Sequence, residues 1–358
     1  MSLIRIKTNS GERKIGLNEP CFIIAEVSAN HNQSFDRAVK IIKVAAQAGA
    51  DAVKLQTYTA DTMTIKSDKP WFRVGEGDKP DSWKGKTLYE LYEIAYTPWE
   101  WQPMLKEIAD DLGIIFFSTP FDSSSVDFLE KMDVPCYKVA SFEIVDIPLL
   151  KKIAGTGKPV IISSGPSSLE DIELALSTLR ENGTKDIVLL HCISAYPAKP
   201  ENMRLKTLLD LRQRFSVEVG LSDHSLGIEI PIVARALGAS VIEKHVTLAP
   251  NEGGIDADFS LNPDQLKELV QSIRNVERAM GEPNYIQWSP QELEEKKYRR
   301  SLFVVNDIKK DEILTDKNIR VIRPGMGMHP KFYGDILGKR AKQNIPRGTP
   351  LTEDLVEY

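Results

Sequence analysis

His224 in LSDHS and His245 in VIEKHVT each close a short apolar run, one strand-and-helix repeat apart. One such histidine alone reads as an ordinary polar residue at a strand end. Two at neighbouring strand ends suggest a metal held through neutral imidazole nitrogens, with coordination positions left open for water and a substrate oxygen. Two lysines, Lys54 and Lys138, end other runs of the same kind. A lysine buried in a strand can lose its charge and act as a Schiff-base nucleophile, as in a class I aldolase, but the histidine pair argues for metal chemistry instead. Glu26 and Glu143 end or follow two further runs. Each serves either to move protons or to neutralise a buried lysine, and both roles stay open. His191 reads either as a residue that supports the site side chains from behind or as structural.

These side chains need a scaffold that brings many strand ends to one place. From Phe22 to about Met280 the chain alternates eight times between a short β-rich run and a longer amphipathic one. The strand runs are 22–29, 52–58, 114–119, 136–141, 159–164, 187–192, 218–224 and 241–247. Most are apolar throughout, as parallel strands covered by helices must be. Helical patterns such as 36–48 and 168–181 end in Gly49 and Asn182-Gly183, where a C-cap belongs. A doubly wound open sheet fits this alternation too. The crowding of Lys54, Gln56, Thr119, Lys138, Ser141, Ser222, His224, Glu243 and His245 at downstream strand ends favours the (β/α)8 TIM barrel, whose active site forms there.

With 358 residues, 42% hydrophobic and 27% charged, the chain has room for one large domain and a small one. A net charge of −5 argues against a general nucleic-acid or membrane-surface protein and leaves room for a local basic pocket. No apolar stretch is long enough to span a bilayer. Cys21, Cys136 and Cys192 lack metal-finger spacing and read as small buried hydrophobes without a basic neighbour. The N-terminus carries no signal segment, so the expected setting is reducing and cytoplasmic.

Two stretches depart from the alternation. Residues 59–97 form a long insertion after the second strand, in which Trp71, Phe72 and Trp83 either contact substrate or anchor the loop. After a barrel over 1–280, residues 281–298 read as a polar linker and 299–358 as a compact second domain of short strands and Gly-Pro turns.

The ordered set IIAEVSANHNQ, GADAVKLQTY, FFSTPFD, YKVASFEI, HCISAYPA, GLSDHSLG, IEKHVT and IRPGMG resembles the sialic acid synthase family over nearly the whole chain. The resemblance implies a barrel followed by a small antifreeze-like domain of the SAF type, which reaches the partner's active site in a domain-swapped homodimer. It implies condensation of phosphoenolpyruvate with the open-chain aldehyde of an N-acetylated amino sugar, releasing phosphate. A divalent metal is implied, typically Mn2+, with Mg2+ or Co2+ as alternatives, on His224 and His245. Lys54 and Lys138 then hold the donor's anionic groups with Thr119, Ser141 and Ser222. Gln56, Ser194, Tyr196 and Asp256 hold substrate, and Arg323 meets the acceptor's N-acyl group across the dimer.

EVSANHNQ and ISAYPA lean toward the pseudaminic acid branch, in which Ser194 replaces the asparagine of the N-acetylneuraminate branch. The implied acceptor is a 2,4-diacetamido-2,4,6-trideoxy-altrose, whose methyl group calls for an apolar surface such as Phe259 and the aromatic residues of the insertion. N-acetylneuraminate, legionaminate and spore-coat sugar synthesis are the alternatives within the class. A phosphosugar acceptor would need a second basic cluster, and none stands out. A non-catalytic sugar-binding protein would have no use for the two lysines and two histidines together.

Overall fold

The computed structural model describes residues 3–8, 11–75 and 83–358. The chain folds as two compact units, Met1–Gly281 and Glu282–Tyr358.

The first unit opens with an antiparallel hairpin of β1 (Ile4–Thr8) and β2 (Gly11–Ile15). The eightfold pattern did not include it, although the alternation of Ile4 and Ile6 with Arg5 and Lys7 is a half-buried strand signal; Ile4, Ile6 and Ile15 are buried in the main core. Eight parallel strands follow: β3 (Phe22–Glu26), β4 (Ala52–Thr57), β5 (Ile115–Pro120), β6 (Tyr137–Val139), β7 (Val160–Ser163), β8 (Ile187–Cys192), β9 (Glu218–Asp223) and β10 (Val241–His245). β10 pairs with β9 on one side and with β3 on the other, which closes the barrel and excludes the open sheet.

Every residue of β3, β8, β9 and β10 is buried, because the interior is packed and helices cover the outside. The helix Phe35–Ala48 shows how its sequence sets its limits. The Ser34 side chain accepts from Arg37 N at the start, Gly49 ends it at φ 84°, and Ala38, Ile41, Ile42 and Ala45 turn inward. The helix Leu169–Glu181 starts with a reciprocal Ser168–Asp171 capping box, and Pro263–Met280 with Asn262 and Gln265 in the same arrangement.

Six barrel strands are shorter than the sequence runs suggested, β3 and β6 by the most. The run 22–29 ends at Glu26 because Ser28–His31 forms a 3-10 turn, and 136–141 contracts to Tyr137–Val139. The insertion 59–97 carries short helices at Ala60–Met63 and Leu88–Ala95, the second opened by a Thr87–Glu90 capping box; its residues 76–82 lie outside the described residues.

The second unit pairs β11 (Ser301–Val304) with β12 (Ile319–Ile322) and β13 (Arg340–Ala341) with β14 (Val356–Glu357), both antiparallel. Leu302, Val304, Leu314, Ile319, Ile336 and Leu351 form its own core. Gly327 passes so close to Leu302 O that any Cβ there would collide. The stretch read as a linker holds a short helix, Pro290–Glu295, and a 3-10 turn, Lys296–Tyr298.

Candidate active site

The downstream ends of the barrel strands enclose a cavity of about 500 Å3. Side-chain alternation sends Glu26, Lys54, Gln56, Thr119, Lys138, Ser163, Ser222, Glu243 and His245 into it from successive strands, and Glu143, Ser141, Tyr196, His224 and Asp256 reach it from the loops that follow. Phe259, expected as apolar surface, does not line this space, and of the barrel residues given a catalytic, binding or metal role in the sequence all line it except Ser194. That residue joins it indirectly, its hydroxyl lying 2.8 Å from Ser141 Oγ.

The two lysines sit in opposite electrostatic surroundings. Lys54 Nζ lies 2.6 Å from Glu26 and 3.7 Å from Glu243, and donates to Thr119 Oγ1 at 3.0 Å. Burial alone would discharge it, but Glu243 and Glu26 outweigh that and raise its pKa above the usual lysine value. Lys138 Nζ donates to Ser163 Oγ at 2.6 Å and to Val139 O at 2.7 Å, both neutral acceptors. Burial therefore prevails and lowers its pKa. Ser163, which supplies one of those acceptors, was missed in the sequence; it follows two isoleucines in an ordinary apolar run and gave no separate signal. Glu243 was seen at its strand end but given no role, although it contacts Lys54 and accepts from Ser222 Oγ at 3.2 Å.

Burial raises the Glu143 carboxyl to about 7, and its Oε2 is buried without a hydrogen-bond partner. Burial likewise carries Glu26 to about 7, against the pull of Lys54. These values let a carboxyl hold a proton near neutrality and give it up to a substrate.

Gln56 Nε2 donates to Glu26 and to Ser28 Oγ, and Ser28 in turn donates to Asp256 at 2.5 Å, so one polar chain runs along this wall. Another part of the lining is aromatic. Tyr196 packs against Trp83, His224 and Phe259 at centroid distances of 5.4, 4.4 and 5.2 Å. Trp83 also donates its indole N–H to Ile255 O, so it anchors the insertion and lines the cavity at once. Trp71 and Phe72 do not line it, and Trp71 is 70% exposed.

The histidine rings stand 5.3 Å apart. His224 Nδ1 lies 3.0 Å from Ile193 O, a contact that places a proton on Nδ1, so that in the neutral ring Nε2 carries the lone pair. His245 is held neutral by burial, its pKa well below the ordinary value, and its Nδ1 has no hydrogen-bond partner. Glu243 Oε2 is also buried and unpartnered. Two available imidazole nitrogens fit a divalent cation with open positions. Among the described residues no group of three or more His, Cys, Asp or Glu side chains is gathered to hold a metal.

Cys192 corrects the sequence reading. It lines the cavity with its sulfur 4.0 Å from His224 Nδ1, so a basic neighbour is present. Burial opposes a thiolate, yet His224 and Lys138 lower its pKa and it raises that of His224 in turn. Cys21 and Cys136 are buried with raised pKa, as expected of packing residues. His191 lies 2.6 Å from Met203 O and does not line the cavity. Arg323 directly follows β12 in the second unit.

The NeuB family model matches residues 41–285 and the SAF domain model residues 299–357. Over 332 residues the chain is 43% identical to the protein named pseudaminic acid synthase in Campylobacter jejuni, covering 93% of this chain and 95% of that one. It is also 43% identical to the Helicobacter pylori protein of the same name, covering 95% and 98%. Among solved structures, the spore coat polysaccharide biosynthesis protein spsE of Bacillus subtilis superposes with a TM-score of 0.66 at 34% identity, covering 100% of this chain and 99% of that one.

Proposed function

The chain belongs to the NeuB family, and from that premise we propose that its barrel mouth condenses phosphoenolpyruvate with a 2,4-diacetamido-2,4,6-trideoxy-altrose to form pseudaminic acid. It is a nonulosonic acid synthase, an enzyme of the transferase class.

One observation carries the donor half: Lys138 is a buried amine whose partners are neutral, beside a second lysine already neutralised by carboxylates. An arriving dianionic phosphate restores the charge on Lys138 and supplies the partner it lacks. Thr119, Ser141 and Ser222 add hydroxyl donors, and Ser163 joins them. His224 and His245 hold a divalent cation, Mn2+ in our reading, which when bound polarises the acceptor's aldehyde oxygen. As the methylene carbon of the enolpyruvate bonds to the aldehyde carbon, Glu143, protonated near neutrality, delivers a proton to the oxygen that becomes a hydroxyl, and Glu26 with Gln56 orients the water that adds to the former enol carbon and takes the proton that water loses. Phosphate then leaves by C–O cleavage.

On the acceptor side, Gln56, Tyr196 and Asp256 hold the sugar, and Ser194 supports Ser141. The insertion supplies Met63, Leu88, Leu91 and Tyr92 to the cavity lining, an apolar surface suited to a terminal methyl. Three relatives at 43% identity carry the pseudaminic name, which favours this acceptor over legionaminate or N-acetylneuraminate precursors.

Arg323 reads as the contact to the acceptor's N-acyl group from a partner copy in a domain-swapped homodimer. Tyr285, Ile286 and Trp288 support that reading, because they leave 89%, 84% and 48% of their surface exposed in the single chain. The three free cysteines agree with a reducing, cytoplasmic setting, and no helix among the described residues is long and apolar enough to cross a membrane.

Phosphoenolpyruvate labelled with 18O at the bridging oxygen tests the donor chemistry. C–O cleavage sends the label into the released phosphate; label retained in the keto acid contradicts it.

A further inference from the structure

Behind the two histidines lies a charged pair that the proposed chemistry does not touch. Asp223 and Lys244 face each other across β9 and β10, and each precedes a histidine by one residue. Alternation turns them away from the cavity that Ser222, Glu243 and His245 face, into the layer between barrel and helices, where both side chains are 0% exposed. Lys244 Nζ donates to Asp223 Oδ2 at 2.5 Å and to the carbonyl of Ser225. Asp223 Oδ1 accepts from Ser225 N at 3.0 Å and from Ser225 Oγ at 2.7 Å. His224 is thus bracketed by two residues, both of which are bonded to the residue before His245.

A fully dehydrated ion pair in an apolar layer is a poor way to gain stability, since apolar residues of the same volume do as well or better. What it gives that apolar packing does not is direction, because two short bonds from Lys244 to fixed acceptors leave β9 and β10 one relative position. We propose that Asp223 and Lys244 are positioning residues, which fix the spacing of His224 and His245 and thereby set the affinity of the site for a divalent cation. This rests on the reading of the two histidines as the metal site. Glu229, in the helix that follows β9, is a further charged group near Lys244.

The test titrates Mn2+ alone into the intact metal-free protein, read by electron paramagnetic resonance of the free ion, with thermal melting alongside. The proteins are wild type, the volume-matched Asp223→Leu/Lys244→Met, Ser225→Ala and His224→Ala. The expected result is a cooperatively melting double variant that binds Mn2+ about tenfold or more weakly, with Ser225→Ala weakened severalfold. A double variant with wild-type Mn2+ affinity overturns the proposal while leaving the metal site intact. Should the double variant not melt cooperatively, Ser225→Ala decides, and wild-type affinity there overturns the proposal. A His224→Ala protein that binds Mn2+ as well as wild type sinks the metal reading itself and the proposal with it.

Discussion

The two ends of the barrel use the same residue types to opposite effect. At the upstream end, Asp51 accepts from Arg13 Nε at 2.8 Å, Ile23 N at 2.8 Å and Arg274 at 3.0 Å. Glu277 accepts from Cys21 N at 2.6 Å and meets Arg235 and Arg274. These acids and bases are mutually satisfied, and such a network holds strands to helices and asks nothing of a ligand. At the downstream end Glu143, Glu243 and His245 each keep a buried polar atom without a hydrogen-bond partner, and Lys138 is an amine without a carboxylate. Buried polar atoms left unpaired destabilise a fold, so the lesson is one of placement: four of the eight such side-chain atoms among the described residues, on Glu26, Glu143, Glu243 and His245, belong to residues lining the cavity, where a substrate can meet them.

The sharpest way to break this contrast is to remove Lys138. Lys138→Met keeps most of the volume, and kcat/KM for phosphoenolpyruvate should fall about 10³-fold, with a melting temperature equal to or above that of wild type. A large loss of stability with activity retained would reverse the assignment. Glu143→Gln keeps shape and hydrogen-bonding capacity and should lower kcat about 10²-fold with little change in KM, as loss of a proton donor does.

The upstream end should respond in stability rather than in rate. Asp51→Ala leaves Arg13 and Arg274 without their shared acceptor and should lower stability by about 2–4 kcal/mol in chemical denaturation, with kcat/KM unchanged within about twofold.

The smallest effect is a pH dependence. The folded-state pKa of Glu143 is raised to about 7 from an ordinary value of 4.5, so the folded protein binds the proton more tightly than the unfolded chain. Its stabilising share is full below the unfolded value and is lost as pH rises through about 7. Denaturation midpoints of the metal-free protein should decline over that window, and Glu143→Gln should flatten part of the decline. An unaltered slope in the variant would place the titration elsewhere.

Much of the barrel was legible because its signals are local. Apolar runs ending in Lys54, Thr119 and His245, and a C-cap such as Gly49, each follow from a few adjacent residues. What stayed hidden depends on distant partners. Ser163 matters because Lys138, on the neighbouring strand, donates to it, and Cys192 because His224 comes within 4.0 Å of its sulfur. Neither fact is written in the residues beside them. The hairpin Ile4–Thr8 and Gly11–Ile15 carried an alternation signal but stood outside the eightfold pattern that organised the rest. Asp223 and Lys244 were not singled out in the sequence, and their meaning needed the register that sets them face to face.

The most direct test of the central claim is phosphate release from phosphoenolpyruvate with Mn2+, comparing 2,4-diacetamido-2,4,6-trideoxy-altrose with N-acetylmannosamine, each with and without a chelator. The expected result is release with the trideoxy sugar, abolished by the chelator and restored by Mn2+. Release with N-acetylmannosamine alone would contradict the acceptor assignment, and release untouched by the chelator would contradict the role given to His224 and His245.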